Sequence, residues 1–255
     1  PPELLERARA VVYGGDWTPP QPRPAATLML LRDTDGGIEV ALLQRASSLG
    51  FARGMYVYPG GALDAGDEAL GDPWLVAAIR ETFEECGVLL ADPNPQHDVQ
   101  ELRERDFAEA LAALGARPAV DALRPFAHWV TPEVEARRFD TRFYVAPLPA
   151  GQDLTTLTSE HQAIGWFRPQ DALTLPMLPP TAATLAEVLV RNLVANASAY
   201  APEDSIITVS NAAMANGSVD PATPAPSVTR PVASAAELRA ARPVPRITGC
   251  EIPSR

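Results

Sequence analysis

Three glutamates sit close enough in the chain to act together. Glu81, Glu84 and Glu85 lie in the run Leu75-Val-Ala-Ala-Ile-Arg-Glu-Thr-Phe-Glu-Glu-Cys-Gly87. On a helix, at about 100° per residue, Glu84 and Glu85 fall about 60° and about 40° to either side of Glu81. Leu75, Val76, Ile79, Phe83 and Cys86 fall on the opposite side. The run therefore predicts a helix with an apolar back and a carboxylate front. Like charges three and four residues apart repel. Arg80 is the one cation in the helix, placed to pair with Glu84 one turn on. Two readings of the front stand side by side: a solvated surface face, or the seat of a divalent cation. Clustered hard oxygen donors suit Mg²⁺ or Mn²⁺, which also bind phosphate substrates. The turn Pro59-Gly60-Gly61 comes shortly before and lets backbone approach a ligand closely. Together, the turn and the acidic helix favour the cation reading.

Other elements must hold this helix. Asp72 suits its N-cap, Pro73 its first position, and Gly87 the residue past its end. Ala26–Leu31 and Ile38–Leu43 read as a strand pair joined across Asp33-Thr-Asp-Gly-Gly37. Gly54–Tyr58 reads as a short third strand ended by the glycine turn. Phe126–Val130, Arg138–Ala146 and Ala163–Phe167 read as further strands, and Thr181–Val194 as a leucine-rich helix. Residues 99–115 predict one or two helices within an insertion of about 91–125. The chain opens with a short helical pattern at 4–11 and a proline-rich lead-in to about residue 21. After residue 195 the composition turns to Ala, Pro, Ser, Thr and Val, with short strand candidates at 205–209 and 246–252. The expected organisation is a lead-in at 1–21, a domain at 22–195 and an extension at 196–255. The expected class is α+β, a layered α/β/α sandwich around a mixed sheet.

Arg80-Glu-Thr-Phe-Glu-Glu-Cys-Gly-Val88 resembles the second half of the Nudix box, G-x5-E-x7-R-E-U-x-E-E-x-G-U with U apolar, at every specified position. The first half departs. Seven residues separate Arg80 from Asp72, where the family has Glu, and Gly61 lies five residues too far upstream. Upstream, Arg45-Ala46, Gly54 and Tyr58-Pro-Gly-Gly61 are similar to a degraded coenzyme A diphosphatase motif. Gly50, Leu43 and Tyr58 replace its arginine, threonine and phenylalanine, with Arg53 near the missing arginine. The stretch Gly50–Asp64 resembles the acyl-CoA diphosphatase branch, which also has an insertion within the box. The resemblance covers roughly residues 22–195 and takes in Ser159-Glu-His-Gln-Ala-Ile-Gly-Trp166.

The resemblance implies the Nudix fold and attack of water on phosphorus in a diphosphate linked to another moiety. It implies Glu81, Glu84, Glu85 and the Gly61 carbonyl as ligands of Mg²⁺ or Mn²⁺, with Arg80 orienting Glu84. A box glutamate or a downstream group, Glu160 or the neighbouring His161, would be the base. Arg45, Arg53 and Gly60 would meet the diphosphate. The implied substrate is CoA or acyl-CoA, giving 4′-phosphopantetheine and adenosine 3′,5′-bisphosphate. Alternatives are another nucleotide (ADP-ribose, NADH, a dinucleoside polyphosphate, an oxidised nucleotide) or a non-catalytic nucleotide-binding module.

Composition narrows the field further. All 21 basic residues are arginine, which excludes Schiff-base lysine chemistry, a P-loop lysine and the β3 lysine of protein kinases. A net charge of -11 argues against sequence-independent nucleic-acid binding. Two cysteines among 255 residues make no disulfide framework and fit a reducing, cytoplasmic setting. Pro1–Arg9 lacks a signal peptide's apolar core, and no run approaches the length of a membrane span. The expected partner is a small nucleotide diphosphate, with no membrane partner. The insertion and the extension carry no motif and are candidates for a substrate pocket or a homodimer interface.

Overall fold

The computed structural model describes residues 2–48, 52–155 and 161–200, the last seven as helix backbone. Glu160, Gly50 and the strand candidates at 205–209 and 246–252 lie outside the described residues. The chain begins with α1 (Pro2–Tyr13), β1 (Arg23–Thr34), β2 (Gly37–Arg45), β3 (Tyr56–Val57) and β4 (Gly60–Ala62). Next come α2 (Asp67–Leu70) and α3 (Pro73–Cys86). The insertion holds a two-stranded ribbon of β5 (Ala91–Asp92) and β6 (Arg117–Pro118), with a 3-10 turn at Gln100–Glu104 and α4 (Phe107–Leu114) between them. Then follow β7 (Arg124–Val130), β8 (Phe139–Pro147), β9 (His161–Phe167), α5 (Pro169–Ala172) and α6 (Pro179–Tyr200).

The main sheet is mixed. Its order is β3-β2-β1-β8-β7, with β4 also pairing β1 and β9 also pairing β2. β1 runs parallel to β8, and the other pairings are antiparallel. Alternation along β1 explains why both faces need cover. Ala26, Leu28 and Leu30 point to the side of α3, where Val76, Ile79, Phe83 and Cys86 are buried. Met29 and Leu31 point to the other side, against Leu185 and Val188 of α6. The result is the expected α/β/α layering, with α3 and the insertion on one face and α5 and α6 on the other.

The caps of α3 are those the sequence predicts. Asp72 Oδ1 accepts from the Trp74 and Leu75 amides, and Gly87 ends the helix at φ 73° with its amide donating to the Phe83 carbonyl. Strand ends shift by a few residues, with β1 running over Arg23–Thr34 and β3 only over Tyr56–Val57, and two further differences have a clear cause. The glycine turn is not the end of a strand but part of β4, because it is hydrogen-bonded along β1: Gly60 opposes Thr27, Gly61 opposes Ala26 and Ala62 opposes Ala25. A Cβ on Gly60 would lie 2.5 Å from the Ala26 carbonyl oxygen, so this close pairing needs glycine. α6 continues to Tyr200, past the expected end at Val194, through alanine-rich sequence of high helix propensity.

Candidate active site on the acidic helix

Arg80 organises the front of α3. Its Nε and Nη2 donate to the two oxygens of Asp67 at 2.9 and 3.1 Å. Nη1 donates to Glu81 Oε1 at 2.8 Å and to Glu84 Oε2 at 3.1 Å, and Nη2 also reaches the Ala62 carbonyl. The planar guanidinium is suited to such a fork. Asp67 is only 1% exposed and Arg80 12%, so this is a buried pair, with Glu81 and Glu84 toward its open side. Asp67 Oδ2 also accepts the Asp64 amide, which ties the loop from β4 onto the helix.

Sequence reasoning missed Asp67, and the spacing held the signal. Asp67 stands six residues after Gly61, the box interval, whereas Asp72 stands at the box interval before Arg80. The ion pair decides between them. Asp67 takes the place of the box acid and Asp72 is the helix cap, so the five extra residues are Glu68–Asp72, between acid and helix. The expected insertion between Gly61 and the acid is corrected accordingly.

The three glutamates do not share one environment. Glu81 and Glu84 flank Arg80, while Glu85 turns toward the sheet. Its Oε2 accepts the Gly60 amide at 2.9 Å, and its Oε1 lies 3.4 Å from His161 Nε2. Gly60, expected to meet substrate, has its N–H engaged by Glu85. Gly61 packs directly against Glu81: a Cβ there would lie 2.5 Å from Oε1. The Gly61→Ala variant forces the Glu81 carboxylate to move. Because misplacement by about 1 Å can cost about 100-fold in rate, kcat is expected to fall by about that factor with the urea midpoint near wild type. An unchanged kcat would detach Glu81 from the chemistry.

Charge at this end of α3 is unbalanced. Burial, the largest influence, raises the Glu81 and Glu84 carboxyls above their usual range although Arg80 pulls them down. Asp67 raises both further, with Glu84 adding to the effect on Glu81 and Asp64 to that on Glu84. Burial works to lower the Arg80 pKa, but Asp67, Glu81 and Glu84 outweigh it and hold the guanidinium charged. Three carboxylates, Asp67, Glu81 and Glu84, thus surround one guanidinium. Among the described residues, no three acidic, histidine or cysteine side chains already form a closed metal cage. The donor set is nevertheless all hard oxygen, partly desolvated and in excess over its cation, which fits Mg²⁺ or Mn²⁺.

The C-terminal end of α3 is tied to the insertion. The Arg103 guanidinium donates to the Glu84 carbonyl and Gln100 Nε2 to the Gly87 carbonyl at 3.0 Å, while the Thr155 amide donates to the Cys86 carbonyl at 2.9 Å. These satisfy carbonyls that a helix end leaves open. Arg45, at the end of β2, stands opposite His161 in the sheet, and Arg53 is exposed in the β2–β3 connection. Among the described residues no helix is long and apolar enough to cross a membrane.

Residues 73–177 match the family model described as the NUDT19 Nudix domain. A crystal structure of a Nudix hydrolase from Alicyclobacillus acidocaldarius is 31% identical, with a TM-score of 0.58, over 69% of this chain and 92% of that one. Acyl-coenzyme A diphosphatase NUDT19 of Homo sapiens is 25% identical in an alignment 250 residues long that covers 67% of this chain and 63% of its own length. Its namesake from Xenopus laevis is 25% identical in an alignment 207 residues long that covers 53% of this chain and 54% of its own length. The chain spans between about half and two thirds of the length of these curated relatives.

Proposed function

The chain belongs to the Nudix hydrolase family, and on that premise we propose that the front of α3 carries out metal-dependent hydrolysis of a nucleotide diphosphate, CoA or acyl-CoA above all. The observation that carries the reaction class is the Arg80 fork with Asp67, Glu81 and Glu84, packed against Gly61. The substrate class is supported by the family model and by relatives named as acyl-coenzyme A diphosphatases. The insertion within the box, at Glu68–Asp72, supports the same branch.

Each residue has a part in this reading. Glu81, Glu84 and Glu85, with the Gly61 carbonyl, would hold Mg²⁺ or Mn²⁺. Such an ion, when bound, polarises phosphoryl oxygens and lowers the pKa of water. Arg80 holds Glu81 and Glu84 at a fixed separation on the helix front. Glu84 is the more open of the two, its side chain 42% exposed against 17% for Glu81, and takes the proton of the attacking water. Glu160 is the alternative acceptor for that proton. Arg45 and Arg53 supply the charge that meets the diphosphate, since the chain has no lysine. Water attack then breaks one P–O bond of the bridge and leaves two phosphate monoesters. From CoA these are 4′-phosphopantetheine and adenosine 3′,5′-bisphosphate. The test is a panel of CoA, acyl-CoA, ADP-ribose, NADH and dinucleoside polyphosphates with Mg²⁺, followed by liquid chromatography. The bisphosphate from CoA is the expected product, with higher kcat/KM than any product of the other substrates. Its absence removes the CoA assignment and leaves the family's reaction with a different nucleotide.

A further inference from the structure

We propose that His161 is a positioning residue which fixes Glu85, and through it the Gly60–Gly61 segment, in the geometry that the front of α3 presents to its cation. The proposal rests on the metal reading above and adds to it a residue from the opposite edge of the sheet. It begins with an irregularity in strand pairing. Along β9, Ile164 opposes Leu43 and Ala163 opposes Gln44, so regular pairing would set Gln162 opposite Arg45. The register shifts there, and His161 stands opposite Arg45 instead. Strict alternation from Ile164, which packs with the α3-side core, would put Gln162 on that face and His161 on the other. The bulge exchanges them: His161 is buried and Gln162 exposed. Bulges commonly re-aim a side chain beside a site.

What the re-aimed ring meets is Glu85. His161 Nε2 lies 3.4 Å from Glu85 Oε1, with side-chain exposures of 1% and 13%. The other oxygen, Oε2, accepts the Gly60 amide. Glu85 is thereby flanked at both oxygens, by a hydrogen bond from β4 at one and by the buried His161 ring of β9 3.4 Å from the other. The next residue of β4, Gly61, is in contact range of the Glu81 carboxylate. A chain of contacts therefore runs from His161 through Glu85 and the glycines to Glu81.

The discriminating variants are His161→Gln and His161→Asn. A glutamine amide nitrogen reaches the position of Nε2, whereas an asparagine amide reaches only that of Nδ1. Both bury one amide, so both carry a similar folding cost. Mn²⁺ binding to the metal-free protein is read by titration calorimetry, alongside the melting temperature and the kcat and KM for CoA. Loss of an outer contact to a metal ligand typically weakens binding by about 10–100-fold. That loss is expected for His161→Asn, with kcat reduced and KM little changed, while His161→Gln stays close to wild type. Equal Mn²⁺ affinity in both variants, whether both weakened or both unchanged, overturns the positioning role. Wild-type protein that binds no Mn²⁺, or a Glu84→Gln variant that binds it as tightly as wild type, overturns the metal reading itself and this proposal with it.

Discussion

Replacing Glu84 with glutamine is expected to lower kcat by about two to four orders of magnitude, or about 2.7–5.4 kcal/mol of transition-state stabilisation, with the fold intact. The size follows from what Glu84 alone combines. Its carboxylate is the most exposed of the three box glutamates, and one of its oxygens is already oriented by Arg80 at 3.1 Å. Glutamine keeps the shape and an acceptor oxygen for Arg80, so the helix front survives. On the proposed reading it removes a charge that would hold a cation and the base that would take a proton. The helix itself is anchored elsewhere, by Val76, Ile79, Phe83 and Cys86 against the sheet. Circular dichroism is therefore expected to match wild type while turnover collapses. A variant retaining near wild-type kcat would remove Glu84 from the chemistry.

The second large effect separates two aspartates that look alike in sequence. Asp67→Ala leaves Arg80 without its bidentate partner in a buried setting, and breaking a buried pair in this way costs about 3–5 kcal/mol. Asp72→Ala removes an exposed helix cap, which costs about 0.5–2 kcal/mol. Urea unfolding of the two variants measures both. The larger loss is expected at Asp67, accompanied by a fall in kcat because Arg80 then swings relative to Glu81 and Glu84. Equal losses, or a larger one at Asp72, would return the box acid to Asp72 and contradict the place given to the insertion.

That pair also shows where the sequence was legible and where it was not. α3 could be read because its signals are local: Asp72, Pro73 and Gly87 mark its ends, and the apolar spacing marks its back. The β1–β2 hairpin was legible for the same reason, with Asp35-Gly36 between two apolar runs. The layered class followed from both. Asp67 was hidden because Gly61 and Arg80 point to different acids once five residues are inserted, and only a through-space contact separates them. β4 was hidden because glycine has low strand propensity, and it forms only because β1 is there to pair with it. His161 is among the sequence candidates, but its burial against Glu85 was hidden by the bulge: period-two reading assigns the α3-side face to Gln162, and a one-residue register shift is not a feature of local composition. Helical spacing puts the three glutamates on one side of α3. Their division, with Glu81 and Glu84 about Arg80 and Glu85 held by Gly60 and His161, needed the neighbouring strands.

The carboxylate excess at the front of α3 underlies the proposed mechanism, in which the chain would supply oxygens and a cation from solution would handle phosphate charge. The most direct test follows the diphosphate of CoA by ³¹P NMR, first with Mg²⁺, then with chelator in excess, then with Mg²⁺ restored. The account predicts conversion of the diphosphate resonances to two monophosphates with Mg²⁺, arrest by the chelator and recovery on repletion, with no conversion by Glu84→Gln. Cleavage that continues undiminished in chelator, or that proceeds at the wild-type rate in Glu84→Gln, would contradict it.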